Sequence, residues 1–582
     1  MDIEKLLDSE SVEVFEQRKE YPLSMTQMGI FVESIHYKDT TVYNMPYLYE
    51  LDKDIQMDKL KLAVEKVLKA HPYLSMTVGR NEEGDVYAIR SDEVRVEISS
   101  GSVLPSKEEL IRPFDLTSGE PLCRIGLFDT SDGKYLFIDT HHLVSDGESF
   151  KIFMEDIDVA YKGMEPEMET YTGFEAALFE EKMRGSDKLT RARELYESIL
   201  GGSQKVTLPP KETALDASFD GIYSLTGEVS AKEVTSFCDK YRLGLNAFFT
   251  VAMGLSLKAC TGAEEAVFAT IYNGRNDSRL SRSIGMFVKT IPVCLKAVPQ
   301  MSVVKAVGEC QSMLVKEMAC DIYSFAEICR DYGLNSDVLF AYQGISEKDD
   351  KFLIGGKEAV ENELVLEGTQ SKSPFGLDIN LEDDRVIYEF ECDPAMYGRA
   401  AMERFYRLID GVVKGLLTCE TVGEVLSLGV VKELSAKSVA SEEPEKEAAA
   451  AKETKHMGNG SVSKPSRQLE LLEEQLLEIY RKVLKNDSFG LDDNFFEHGG
   501  TSLLAAKVMM AIMVKDYPVV YQDIFDEPTP RGLAAHVFAK MDEEWNEERC
   551  RKKLIAGKMR KVFLQKSMKR PSPTTCLSAW MV

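Results

Sequence analysis

From Lys432 to Gln468 the chain reads KELSAKSVASEEPEKEAAAAKETKHMGNGSVSKPSRQ, a stretch with hardly a large apolar side chain. Burying so charged a segment, rich in Ala, Ser and Gly, would return too little hydrophobic free energy to offset the entropy of ordering it. The 582 residues therefore divide into a long segment before this linker and a short one after it. As a flexible coil a linker over 431–465 has a root-mean-square span of about 30–35 Å, and EKEAAAAKE within it suits a short helix. Before the linker, strand-like and helical patterns alternate; after it the pattern is helical. No internal repeat at solenoid period is found.

The remaining composition excludes several classes of function. A net charge of −27 argues against general binding to nucleic acid or to anionic lipid. Eleven cysteines lie scattered, without a CxxC pair or a Cys/His cluster at metal spacing, so neither a disulfide framework nor a metal site is expected and a reducing, cytoplasmic setting fits. The acidic N-terminus has no apolar core like that of a signal peptide, and no run approaches eighteen apolar residues, so neither export nor a membrane span is expected.

Two of the seven histidines are adjacent, in THHLVSDGES, residues 140–149. PLCRIGLF and KYLFIDT are apolar, β-prone runs joined by DTSDG, which predicts a hairpin ending immediately before His141. Pairing Phe128 with Lys134 would set Arg124 opposite Ile138. After Gly147, Phe150, Ile152, Phe153 and Ile157 recur at largely helical spacing, with Ser145 or Asp146 available as N-cap. The motif is thus a strand-to-helix loop, which can hold imidazole rigidly at the mouth of a cleft. A satisfied, buried histidine is the ordinary reading of a lone one; a second histidine and an Asp-Gly pair shift the odds toward function.

These residues resemble a family signature. His141, His142, Asp146 and Gly147 reproduce the HHxxxDG of condensation domains of nonribosomal peptide synthetases, which are chloramphenicol-acetyltransferase-like acyltransferases. Collinear resemblances run over some 400 residues: YPLSMTQMGIF through Ser24 and Gln27, RPFDLTSGEPLCR, YTGFEAALFEE, and NGRNDSRLSRSIGMFVKTIPV through Gly274, Arg275, Ile284, Gly285, Phe287, Val288 and Thr290. The resemblance implies an α/β fold of two similar lobes, about 20–195 and 196–430, meeting at a cleft with His142 at its centre. It implies that His142 acts on the attacking amine, that His141 supports the loop, and that Asp146 salt-bridges an arginine across the site. The family draws that arginine from an RHExLRT segment; here the stretch is AHPYLSMT, with Ser75 in its place. Arg124 is the substitute that the expected hairpin register suggests. Lys289 is a second departure, standing where the family has asparagine in FVNT.

Beyond the linker, LDDNFFEHGGTSLLAAKV resembles a peptidyl carrier domain, an all-α four-helix fold over 466–541. The resemblance implies that Ser502 carries 4′-phosphopantetheine as an ester. A serine before an apolar helical run is ordinarily just an N-cap, but the match runs through Asp493, Asn494, Phe495 and Phe496. A helix N-terminus also favours the phosphodiester charge, and Gly499-Gly500 leave room for a modifying transferase.

The two resemblances together imply amide formation between a donor acyl or aminoacyl thioester and an acceptor amine, with the acceptor on Ser502. No adenylation domain separates the two regions and no carrier precedes residue 20, so loading by a stand-alone adenylating enzyme, a donor from a carrier on another chain or from an acyl-CoA, and priming by a phosphopantetheinyl transferase are expected in trans. Epimerisation of a carrier-bound aminoacyl group and a non-catalytic recruitment platform are the alternatives. Residues 1–19 read as an extension. Within the tail, 542–582, RCRKKLIAGKMRKVFLQKSMKR carries ten Lys/Arg and no acid. It reads as a docking segment for a partner, as a solvated terminus, or, less fittingly for so acidic a chain, as a membrane-surface helix.

Overall fold

The computed structural model describes residues 16–435 and 467–541, apart from 37–39, 82–84, 92, 203–205, 212–218, 220, 336, 347–350, 363, 365–372, 501, 514, 516, 518 and 520–522. The N-terminal extension up to residue 15, most of the linker, and the basic tail lie outside the described residues. The chain forms two compact units, one up to Lys455 and one from His456.

The first unit is built on two large sheets. One has five strands in the order Val360–Glu361, Asn44–Leu51, Lys134–His141, Cys123–Asp129 and Ile98–Gly101. The helices Met57–Ala70 and Gly147–Tyr161 share its core. Met57–Ala70 is amphipathic for a legible reason: Leu60, Ala63, Val64, Val67 and Leu68, spaced by three and four, are all buried. Burying each of the larger ones contributes about 1.5–3 kcal/mol. The second sheet has six strands, Lys289–Leu295, Ala266–Tyr272, Val338–Ser346, Phe375–Glu382, Arg385–Cys392 and Ile222–Ser230. Only the contacts of Val338–Ser346 with its two neighbours are parallel. Its core is formed with the helices Leu245–Thr261, Val303–Met318 and Arg399–Thr418. Leu245–Thr261 is apolar on all sides because it is enclosed, with every residue from Ala247 to Leu257 buried. Among the described residues no single helix is long and apolar enough to cross a membrane.

The halves of this unit exchange segments. Val360–Glu361, from the second half, pairs antiparallel with Asn44–Leu51, and Ile354 and Ala359 sit in the first core. Conversely, the helix Asp187–Leu200, which spans the expected division at residue 195, packs Tyr196 and Leu200 with Val267 and Cys294 of the second sheet.

The hairpin beside the histidines differs in register from the sequence expectation. The turn uses four residues, 130–133, closed by Thr130 N donating to Gly133 O at 2.9 Å, so Phe128 pairs with Tyr135 and Arg124 stands opposite Asp139.

In the second unit, Arg467–Leu484 and Ser502–Met513 pack with Asp523–Asp526 and a helix over 530–541. Leu476, Tyr480, Val508, Ile512, Leu533 and Val537 are fully buried, and Tyr480 stacks on Phe489 and meets Phe495 edge-on.

Candidate functional site

His141 ends the central strand of the first sheet, and the two histidines have different environments. His141 is buried. Its Nδ1 accepts a hydrogen bond from Leu143 N at 3.1 Å, which leaves the ring proton on Nε2, 3.2 Å from Ser34 Oγ. Phe114 meets the ring edge-on at 5.9 Å. Burial first, then the neighbouring His142 and Arg124, pushes its pKa down to about 3, so it stays neutral at ordinary pH. His142 is half-buried, in a turn whose start is fixed by its backbone N–H donating to Tyr43 O at 2.8 Å.

Asp146 caps the helix Gly147–Tyr161 through Ser149 N at 2.8 Å. Gly147 is that helix's first residue, with open space where a Cβ would stand. The partner of Asp146 is not Arg124 but Arg275, whose Nη1 and Nη2 meet the two carboxylate oxygens at 2.9 and 3.0 Å. Phe287 N donates to Oδ2 at 3.0 Å. Asp146 is fully buried and the Arg275 side chain 4% exposed, so this is a desolvated, bidentate pair joining the two halves. Arg124, one register step from the expected place, pairs with Asp139 at 3.2 Å and donates to the carbonyls of Arg112 and Pro113. It thereby holds the RPFD turn, and with it Phe114, beside His141.

Arg275 and Ser149 are the residues that sequence reasoning missed as members of this cluster. Gly274-Arg275 is a visible signal, since Gly274 has φ +67° and a Cβ there would lie 1.7 Å from Phe287 O. Its partner, however, lies 129 residues away in sequence. Ser75 is buried, its hydroxyl accepting from Arg95 N at 3.3 Å.

A cavity of about 500 Å³ lies against this cluster, lined by Gln27, Tyr171, Glu180, Gly274, Phe287 and Lys289 among others. Gln27 Nε2 donates to Leu143 O at 2.8 Å, tying the cavity wall to the histidine turn. His142 is not among the residues lining this cavity. Lys289 forms ion pairs with Glu180 at 3.2 Å and Asp321 at 3.4 Å. Burial opposes its charge, but these two carboxylates hold its pKa above the usual lysine range.

With this geometry in view, comparison with known families is decisive: residues 17–420 match the family model described as "Condensation domain". The chain belongs to the condensation-domain family. Residues 474–537 match a second model, "Phosphopantetheine attachment site", so the condensation domain is followed by a carrier domain that takes phosphopantetheine on a serine. Condensation domains of nonribosomal peptide synthetases form amide bonds by acyl transfer.

Surfactin synthase subunit 2 of Bacillus subtilis is 24% identical over 348 residues, 57% of this chain and 10% of that protein. Tyrocidine synthase 3 of Brevibacillus parabrevis is 22% identical over 416 residues, 68% of this chain and 6% of that protein. The chain thus spans a tenth or less of the length of these two relatives. Among solved structures, the first condensation domain of the calcium-dependent antibiotic synthetase aligns with a TM-score of 0.55 at 16% identity, over 70% of this chain and 98% of that one. The X-domain in complex with OxyB from teicoplanin biosynthesis aligns at 0.59 and 15%, over 72% and 98%. These likenesses show a shared fold.

The carrier loop fits the group. Gly500 is pressed onto Phe495, where a Cβ would meet the ring at 2.4 Å and the carbonyl oxygen at 2.5 Å, while at Gly499, with φ +89°, the surrounding space is open. Ser502 opens a twelve-residue helix, whose N-terminal dipole favours negative charge.

Proposed function

We propose that the chain joins a donor acyl or aminoacyl thioester to the amine of an acceptor carried on the phosphopantetheine of Ser502. The observation that carries this reading is the division of labour in the histidine turn: His141 is neutral and bonded on both nitrogens, His142 is half-buried beside it, and Asp146 is fastened by Arg275 of the other half. His142 thus stands half-buried on a loop held from both sides.

When bound, the arm supplies a thiol that carries the acceptor as a thioester. The α-amine of that acceptor, with an ordinary pKa of about 7.7–8.0, is partly neutral near pH 7. His142 then orients it and takes up a proton as the amine nitrogen attacks the donor carbonyl, a contribution of about 10²–10⁴-fold for a general base. The proton leaves with the departing thiolate. Neutral His141 adds no positive charge beside His142.

The spacing of the two matched regions supports loading by an adenylating activity that does not lie between them. Only residues 421–473 separate the two matched regions, too few for an adenylating domain when domains run to about 100–150 residues. An adenylating activity, a phosphopantetheinyl transferase and donor carriers are the partners that this reading calls for, in the cytoplasm where such thiol chemistry stays reduced.

The test uses the full chain, primed with a phosphopantetheinyl transferase and loaded with an aminoacyl group, mixed with a separately loaded donor carrier. Intact mass measurement should show the donor transferred to the acceptor as a new amide on Ser502, and none with Ser502→Ala. Exchange of the acceptor's α-proton without a new amide would indicate epimerisation instead. Neither product, over a panel of donors, would favour a recruitment platform.

A further inference from the structure

His71, in the AHPYLSMT stretch that lacks the family's arginine, lies at the centre of a buried ionic cluster. Its side chain is 1% exposed, with Nε2 2.7 Å from Asp156 Oδ2 and Nδ1 2.7 Å from Glu169 Oε1. A neutral imidazole has one N–H and one lone pair. With a carboxylate oxygen at each nitrogen, a neutral ring would set its lone pair against an anion, so the geometry calls for the doubly protonated cation.

Each of the two carboxylates also holds the loop that follows Arg275. Asp156 Oδ1 accepts from Arg282 Nη2 at 2.6 Å, and Arg282 Nη1 reaches Glu155 at 3.0 Å. Glu169 Oε1 accepts from Ile284 N at 2.5 Å. One residue on, Gly285 N donates to Ser149 Oγ at 3.0 Å, and Phe287 N donates to Asp146. The groups facing His71 are Asp156 from the helix Gly147–Tyr161 and Glu169 from the segment before Tyr171. Arg282 and Glu155 lie beyond Asp156; burial, with the Glu175 charge, raises the Glu169 pKa, and His71 and the Ile284 N–H oppose that rise by favouring the carboxylate. Two cations, His71 and Arg282, balance Asp156 and Glu169.

We propose that His71 is a positioning residue: as a buried imidazolium it holds the two carboxylates that fasten residues 282–287 to the histidine-bearing half, and so keeps Arg275 and Phe287 in register with Asp146. This reaches beyond the assignment of His142 and rests on the condensation reading only in what the positioned loop is for. Burial opposes the charge, but the hydrogen bonds and attraction of Asp156 and Glu169 outweigh it and raise the His71 pKa to about 9. Because the folded value lies above the unfolded value of about 6.5, the stabilisation is complete below pH 6.5 and is lost as pH rises through about 9.

Amide hydrogen exchange by mass spectrometry on the full chain tests this without any substrate. After correction for intrinsic base catalysis, protection of 278–288 in the wild type should fall at least about tenfold between pH 7.5 and 10. Protection of the strand Ala266–Tyr272 should hold. In His71→Gln the loop should exchange about tenfold faster at pH 7.5, with little further pH dependence. A folded His71→Gln with wild-type loop protection would overturn the proposal. So would a wild-type loop unchanged across this pH range, a measurement that stands even where the variant fails to fold. A loop that loosens as expected in a chain that makes no amide would fault the condensation reading and leave the role of His71 in place.

Discussion

Burial and charge separate the functional residues from the structural ones. Asp146 and Arg275 are both desolvated and satisfy each other through two short contacts, whereas Arg124 is a quarter exposed and its partner Asp139 has a second donor in Asn44 at 2.8 Å. Breaking a buried pair from one side leaves an uncompensated charge, which costs about 3–5 kcal/mol. Arg275→Ala should therefore destabilise the condensation unit by about that much in urea unfolding and remove most amide formation. Arg124→Ala should cost about 1–2 kcal/mol, the scale of ordinary hydrogen bonds. Equal losses in the two variants would mean that Arg275 has no special place. Lys289, the departure from FVNT, is likewise explained by contacts in this chain: Glu180 and Asp321 stand ready to pair with an ammonium, where an asparagine would leave both carboxylates short of a cation.

At the scale of elements, the loop between Ala266–Tyr272 and Lys289–Leu295 connects the two halves, and Gly274 is its pivot. A side chain there would need φ +67° and would drive its Cβ to 1.7 Å from Phe287 O. Gly274→Ala should thus cost more than about 2 kcal/mol, from left-handed strain plus the displaced Phe287 backbone. Differential scanning calorimetry should show an early transition of the condensation unit with the carrier transition unmoved; an unchanged first transition would contradict the close approach. The hairpin, the turn at His141–His142 and the helix from Gly147 are legible in sequence because each is specified locally, by apolar runs, turn residues and a cap. The Arg124 register is not, since one residue more or less in the Thr130–Gly133 turn decides whether Ile138 or Asp139 faces it. Nor is the His71 cluster: His71, Asp156, Glu169 and Arg282 come from four separate stretches, and a histidine between a helix end and Pro72 gives no local sign of its partners.

At the scale of the whole molecule, composition and motif order indicate two units, and residues 17–420 and 474–537 each match a family model. What sequence cannot express is the trade between the halves of the first unit, in which Val360–Glu361 completes the first sheet and Asp187–Leu200 covers the second. That exchange, with the Asp146–Arg275 pair and the loop after it, makes the histidine turn a product of both halves. We propose that this turn presents His142 to an amine. Its most direct test is the single-turnover rate of amide formation from preloaded donor and acceptor carriers, measured for the wild type and for His142→Ala of matched circular dichroism and unfolding midpoint. A loss of about 10²–10⁴-fold, with pantetheinylation of Ser502 unchanged, is the expected result; a rate within a few-fold of wild type would remove His142 from the chemistry.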